Sequence, residues 1–264
     1  NTTITFMTDA DGSHKINKTA GGGLWIKENG TGGNMSPSVI AANNTNFEYD
    51  FWVYGMGGND NFSLQNSKVM DAGYSGGAST SQGIRIYNIS NVVISGNNIS
   101  NGTAFGINLN IVSNSNITNN TVYNQGFDGI YLISSLNNNI SSNTIHNSDQ
   151  GISLVGSNNS VLIGNIIYNN TLDGIPLTLS SDSNILTGNT IYGNGQYGIS
   201  LSASSKNNIS SNTINTTASN GYGIYLLSSS NSNILQNNNI TTNGSNGFGI
   251  VLATSSNSNT LQSN

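Results

Sequence analysis

The sequence predicts an all-β fold: a right-handed, single-stranded parallel β-helix with three short strands per coil and an N-terminal β-rich cap. Three observations predict it. A Gly-Ile pair returns at Gly83, Gly106, Gly129, Gly151, Gly174, Gly198, Gly223 and Gly249, at intervals of 22 to 26 residues, which suits one turn of a three-sided solenoid. Three aliphatic columns keep phase with that pair. Between the second and third columns, every unit supplies an asparagine.

The first strand of each unit is the Gly-Ile-x-Leu motif itself. Its two aliphatics, such as Ile130 and Leu132, stand two apart and so face the same side of a strand. The second strand carries Ile94, Ile117, Ile140, Leu162, Leu186, Ile209, Leu235 and Leu261, and the third carries Ile99, Val122, Ile145, Ile167, Ile191, Ile214 and Ile240. All three point their aliphatics inward. The glycine that opens the motif either takes a backbone conformation closed to other residues or lets neighbouring chain approach closely. A disordered Asn-rich tract has no reason to keep these columns in phase over eight units.

The asparagine column is Asn97, Asn120, Asn143, Asn165, Asn189, Asn212, Asn238 and Asn264. A tight turn between two short strands leaves backbone groups unpaired, and a stacked Asn satisfies them while its amide bonds the Asn above and below. These eight are expected to form an internal ladder.

Upstream of residue 83 the repeat fades. Phe62, Leu64 and Val69, with Ser67 in the Asn position, fit one degenerate coil, and Phe51-Trp52-Val53-Tyr54 fits an earlier one. Residues 1–46 do not fit the template and are expected to form an N-terminal cap or assembly segment, with a strand near Thr3 to Met7. The β-helix then spans 47–264. Solenoid ends offer bare strand edges. Because the sequence stops at Asn264, on a ladder residue, the expectation is self-association end to end, in a head-to-tail contact that builds a filament or surface layer.

The unit, seen as Asn138-Asn139-Ile140-Ser141-Ser142-Asn143-Thr144-Ile145 followed by Gly151-Ile152-Ser153-Leu154, resembles the parallel β-helix repeat of pectate lyase-like proteins, NosD-like periplasmic proteins and many archaeal and bacterial surface proteins. The resemblance covers about residues 83 to 264. It implies a fold and no single function, since that coil carries lyases, hydrolases, adhesins and structural rods.

Composition limits the function classes. Charged residues make up 6% of the 264 positions, against about 25% in ordinary soluble proteins, so Asn, Ser, Thr and Gly wet the surface. The net charge of −5 gives no footprint for a phosphate backbone and argues against nucleic acid. Cysteine is absent, which excludes disulfides and Cys-based metal sites. The sequence contains no membrane span. The surface chemistry points to an extracellular or cell-surface location. There are 18 Asn-x-Ser/Thr sequons, against about 12 expected by chance from 50 Asn and 63 Ser plus Thr. Asn17, Asn29, Asn61, Asn88, Asn101, Asn169, Asn215 and Asn243 are the candidate N-glycosylation sites.

For chemistry, the column just before each glycine reads Phe105, Asp128, Gln150, Asp173, Tyr197, Tyr222 and Phe248. Asp128 and Asp173 stand two coils apart, about 9.6 Å along the axis, near the upper limit for an inverting carboxylate pair. With Tyr131 and His146 they make up the candidate carbohydrate-binding residues. The plain reading is of solvated turn residues beside stacked aromatics. His146 also shares an outward column with Tyr123, Tyr168 and Tyr192, either a surface stack that stiffens the sheet or a sugar-binding strip.

Polygalacturonase-like proteins carry Asn-Thr-Asp, paired Asp, Gly-His-Gly and Arg-Ile-Lys motifs, which this sequence lacks. Pectate lyase-like chemistry needs an acidic calcium cluster and a basic residue, whereas Arg85 is the sole arginine and the Asp residues are scattered. No catalytic residue is assigned. His14 and His146 lie in different regions and the four Met are dispersed, so no metal site and no cofactor are expected. The sequence thus favours an extracellular structural or adhesin-like protein over an enzyme. The alternatives are a carbohydrate-binding module, or a diverged polysaccharide lyase or hydrolase.

Overall fold

In a computed structural model the chain forms a right-handed parallel β-solenoid built from three ten-stranded sheets. The structure describes the strands Thr3–Phe6, Lys15–Lys18, Leu24–Lys27, Ser38–Ala42 and Asp50–Tyr54, together with residues 62–72 and 83–264. Sheet 1 runs from Thr3–Phe6 to Asn239–Thr242, sheet 2 from Lys15–Lys18 to Ile250–Leu252, and sheet 3 from Leu24–Lys27 to Thr260–Gln262. Each strand pairs in parallel with its counterpart one coil on, as Ile107–Asn110 does with Ile130–Ile133. Ten coils at about 4.8 Å each give a rod about 48 Å long.

Parallel sheets bury the face that points at their neighbours, and here all three sheets share one interior. The Gly-Ile-x-Leu aliphatics fill it from sheet 2, the Ile94 to Leu235 column from sheet 3, and the Ile99 to Ile214 column from sheet 1. Register holds these columns directly over one another, as in Ile117 on Ile140 and Ile145 on Ile167. A one-residue slip would turn each aliphatic out to solvent.

The motif glycine is required by close approach. At Gly129, Gly151, Gly174, Gly198 and Gly223, an added Cβ would strike a methyl of the next coil's sheet 1 aliphatic and crowd the next glycine's carbonyl. None of these five has a positive φ. Left-handed backbone falls instead at the turns, mostly on asparagine and serine. Twelve asparagines among the described residues take φ between 48 and 62°, a region that Asn tolerates because its short amide bonds locally.

The four strands within residues 1–46 lie in the same ladders as the rest. Thr3–Phe6 pairs with Ser38–Ala42, Ser38–Ala42 with Ser67–Met70, Lys15–Lys18 with Asp50–Tyr54, and Leu24–Lys27 with Phe62–Gln65. The degenerate coils at Phe51–Tyr54 and Phe62–Val69 also join the sheets, and their Phe51, Val53, Phe62, Leu64 and Val69 are buried.

Polar ladders run up the corners. Between sheets 3 and 1, Asn97 Nδ2 donates to Asn120 Oδ1 at 2.9 Å, and the chain of amides continues through Asn143, Asn165, Asn189, Asn212 and Asn238 to Asn264. Each amide also donates to a carbonyl of the preceding coil, as Asn165 does to Ile140 at 2.9 Å. The opposite corner, between sheets 2 and 3, holds two more files: Ser135, Ser157, Ser181, Ser204 and Ser230, and beside them Asn138, Ser160, Asn184, Asn207 and Asn233.

Candidate functional site

The third corner, between sheets 1 and 2, is where the column before each glycine emerges. It borders the outward row of sheet 2, in which Arg85, Asn108, Tyr131 and Ser153 stand in register on consecutive strands, with Ser200 and Tyr225 paired further along. Sheet 2 turns Ile and Leu inward at alternate positions, so the intervening residue of each strand faces out beside this corner.

Asp173 sits in a built socket. Ser200, one coil on, donates to its Oδ2 at 2.5 Å, and the Tyr197 backbone N–H donates to its Oδ1 at 3.1 Å. Asp128 repeats the arrangement two coils earlier with Ser153 and the Gln150 backbone. There the Ser153 hydroxyl, with a single proton to give, also lies within hydrogen-bond reach of Gln150 Oε1 at 2.9 Å. Neither aspartate is the solvated turn residue of the plain reading, since Asp128 is 8% and Asp173 7% exposed. The serine in the next coil draws each carboxyl against the sheet.

Burial pushes the Asp128 carboxyl up to about 6, and the charge of Asp149 adds to the effect. Asp173 is raised by burial too, opposed by its bonds from Ser200 and Tyr197. Tyr131, three residues on from Asp128, is raised by burial and then by the charge of Asp128.

Aromatic rings close both ends of this strip. Phe105 stacks on Tyr131 with centroids 4.4 Å apart and also packs on Phe127 at 5.2 Å. At the other end Tyr197 stacks on Tyr222 at 5.2 Å, Tyr225 meets both edge-on, and Tyr222 touches Phe248. Beyond the first cluster, the Arg85 guanidinium lies 5.9 Å from the Trp52 ring and 5.6 Å from the Tyr87 ring.

The structure brings Asp128 and Tyr131 together, puts Asp173 on the same corner, and places His146 elsewhere. His146 belongs to the outer row of sheet 1, stacked between Tyr123 at 5.1 Å and Tyr168 at 4.7 Å, with Tyr168 on Tyr192 at 5.0 Å. Burial lowers its proton affinity. In that stack each inner ring has both faces covered, so it offers a sugar only edges. Sequence reading missed Ser153 and Ser200 because one serine among so many carries no signal. The pattern that marks them is Ser two places after the glycine, one coil past an Asp-Gly.

Of the candidate glycosylation sites, Asn101, Asn169, Asn215 and Asn243 are exposed and Asn88 is half-buried. Asn17 lies in the strand Lys15–Lys18. Asn29 and Asn61 lie outside the described residues. Among the described residues, no group of three or more His, Asp or Glu gathers to hold a metal ion, and no helix is long and apolar enough to cross a membrane.

The family model for the right-handed β-helix region matches residues 13–175 and 106–264. The chain belongs to the right-handed β-helix family. Among solved structures, this β-helix is similar to the A-module of the Azotobacter vinelandii mannuronan C-5 epimerase AlgE4. That match has 16% identity and a TM-score of 0.67, and covers 98% of this chain and 80% of the other. The periplasmic alginate epimerase AlgG, as a T265N T268M double mutant, matches at 16% identity and TM-score 0.62, covering 91% and 70%. The E372Q tailspike of E. coli bacteriophage HK620, solved with a pentasaccharide, matches at 14% and 0.53, covering 93% and 60%. At these identities the likeness is one of fold. No curated protein matches the sequence.

Proposed function

We propose that this β-helix is an extracellular, adhesin-like glycan-binding protein whose ligand lies on the corner between sheets 1 and 2. One observation carries the reading: two like Asp–Ser sockets, Asp128 with Ser153 and Asp173 with Ser200, share one corner between two aromatic clusters. Carboxylates and hydroxyls that accept and donate at fixed positions, beside ring faces, are the groups that recognise sugars. The fold's neighbours include two epimerases of alginate or mannuronan and a tailspike solved with a pentasaccharide, which supports a carbohydrate ligand. A surface wetted by amides with 6% charged residues suits life outside the cell.

Affinity electrophoresis through gels containing soluble polysaccharides tests this. At least one polymer should retard the protein, and Tyr197→Ala with Tyr222→Ala should abolish most of the retardation. Free migration in every gel would reject the reading. Occupancy of the exposed Asn101, Asn169, Asn215 and Asn243 sequons belongs to the same proposal, and intact mass of protein from its native source decides it.

A second reading, a glycan hydrolase, is favoured by the Asp128 carboxyl held near 6, within the range of a general acid, two coils from Asp173. New reducing ends released from the bound polymer, and lost in Asp128→Asn, would establish it.

A further inference from the structure

Building on the glycan-binding reading, we infer that the corner strip takes a neutral polysaccharide, stretched parallel to the rod axis, and rejects polyuronates. Charge decides the first point. Between Arg85 and Lys206 the sequence contains no lysine or arginine, while Asp128, Asp149 and Asp173 all stand at the corner between sheets 1 and 2. Asp128 and Asp149 are close enough for one to oppose ionisation of the other. A polymer bearing a carboxylate on each unit would bring like charges within a Debye length of these groups, about 8–10 Å at moderate salt, with no cation in that stretch to answer them. Neutral sugar hydroxyls meet no such penalty and can donate to the carboxylates.

Spacing decides the direction. Along the axis one coil advances by about 4.8 Å, close to the advance of one sugar unit in an extended chain. The two sockets lie 45 residues and two coils apart, each built from the residue before one glycine and the serine two places after the next. A chain running along the axis therefore meets the same socket at alternate sugars. It also reaches Phe105 on Tyr131 at one end and Tyr197, Tyr222 and Tyr225 at the other. A chain crossing the rod would meet only one cluster.

The test uses the whole chain in gels containing β-glucan, galactomannan, polymannuronate or polygalacturonate. The expected result is retardation by at least one neutral polymer, with a dissociation constant at least tenfold below that of either polyanion. Equal or tighter binding to a polyanion overturns the inference and leaves the glycan-binding reading standing. Retardation by none overturns the reading itself. The double variant Asp128→Asn with Asp173→Asn should gain polyanion binding at least threefold. Asp149→Lys, at a half-exposed position that needs no repacking, should do the same, and no gain in a folded Asp149→Lys protein counts against the charge argument. For axial placement, Phe105→Ala and Tyr222→Ala should each weaken a neutral hexasaccharide at least fivefold. A loss confined to one of them overturns that placement.

Discussion

Asp128 ties the site to the acidity of its surroundings. In the unfolded chain an aspartate releases its proton near 3.8, whereas burial holds this one to about 6 in the fold. Between those values the folded state binds more protons than the unfolded state, so stability falls as pH rises from about 4 to 6 and stays lower above. Asp128→Asn should match the parent at pH 4 and exceed it at pH 7 by up to about 3 kcal/mol, as read from urea unfolding at the two pH values. Equal stability of variant and parent at pH 7 would contradict the cause assigned to the shift. Ile111 is a simpler case: it is 46% exposed and holds φ at 56°, where a β-branched side chain is strained. Ile111→Asn, which copies the turn residues around it, should stabilise the protein by about 1 kcal/mol, visible as a higher melting temperature. At this scale the sequence marked Asp128 and Asp173 but not their burial. That depends on which serine the next coil sets against them, and spacing alone does not reveal it.

At the scale of the coil, the asparagine ladder and the motif glycine carry different kinds of constraint. Asn165 donates to Ile140 O and Asn189 Oδ1 and accepts from the backbone and side chain of Asn143. Asn165→Ala leaves buried donors unpaired on one side and an acceptor on the other, a loss of about 3 to 5 kcal/mol measurable by denaturant unfolding. Gly174→Ala should cost about 1 to 3 kcal/mol through overpacking against Ile191 and the Gly198 carbonyl. Core columns and the Asn97 to Asn264 file were legible because their periodicity is strict and their chemistry distinctive. The Ser135 and Asn138 files were not: the first is serine throughout in a serine-rich sequence, and the second mixes serine with asparagine, which serve that turn equally well.

For the whole molecule, regularity separates structure from recognition. All three corners hold files of buried amides and hydroxyls, Gln125, Ser148, Asn170 and Asn194 at the third, and the third adds the clustered rings and the two Asp–Ser pairs. A strand near Thr3 is expected from the sequence; Lys15–Lys18, Leu24–Lys27 and Ser38–Ala42 are not, although register sets Ile16, Ile26 and Ile40 on the aliphatic columns, because the Gly-Ile pair is missing and Ser38 stands where Ser67 stands one coil on. Binding to a neutral polymer through hydroxyls and ring faces should barely respond to salt between 50 and 500 mM, and affinity electrophoresis across that range would show any ionic share.

The files of side chains that repeat from coil to coil also bear on how such a molecule can change in length. Each coil offers the same set of donors upward and acceptors downward. Excising residues 151 to 173 would join Gln150 to Gly174 and leave Asn143 to meet Asn189 just as it met Asn165. Insertion of a duplicated unit would be equally silent to its neighbours. A gene for this chain can therefore lengthen or shorten by recombination between its own repeats, and because that excision would take Ser153 and Asp173 with it, the ladders tolerate a loss of coils that the two sockets do not.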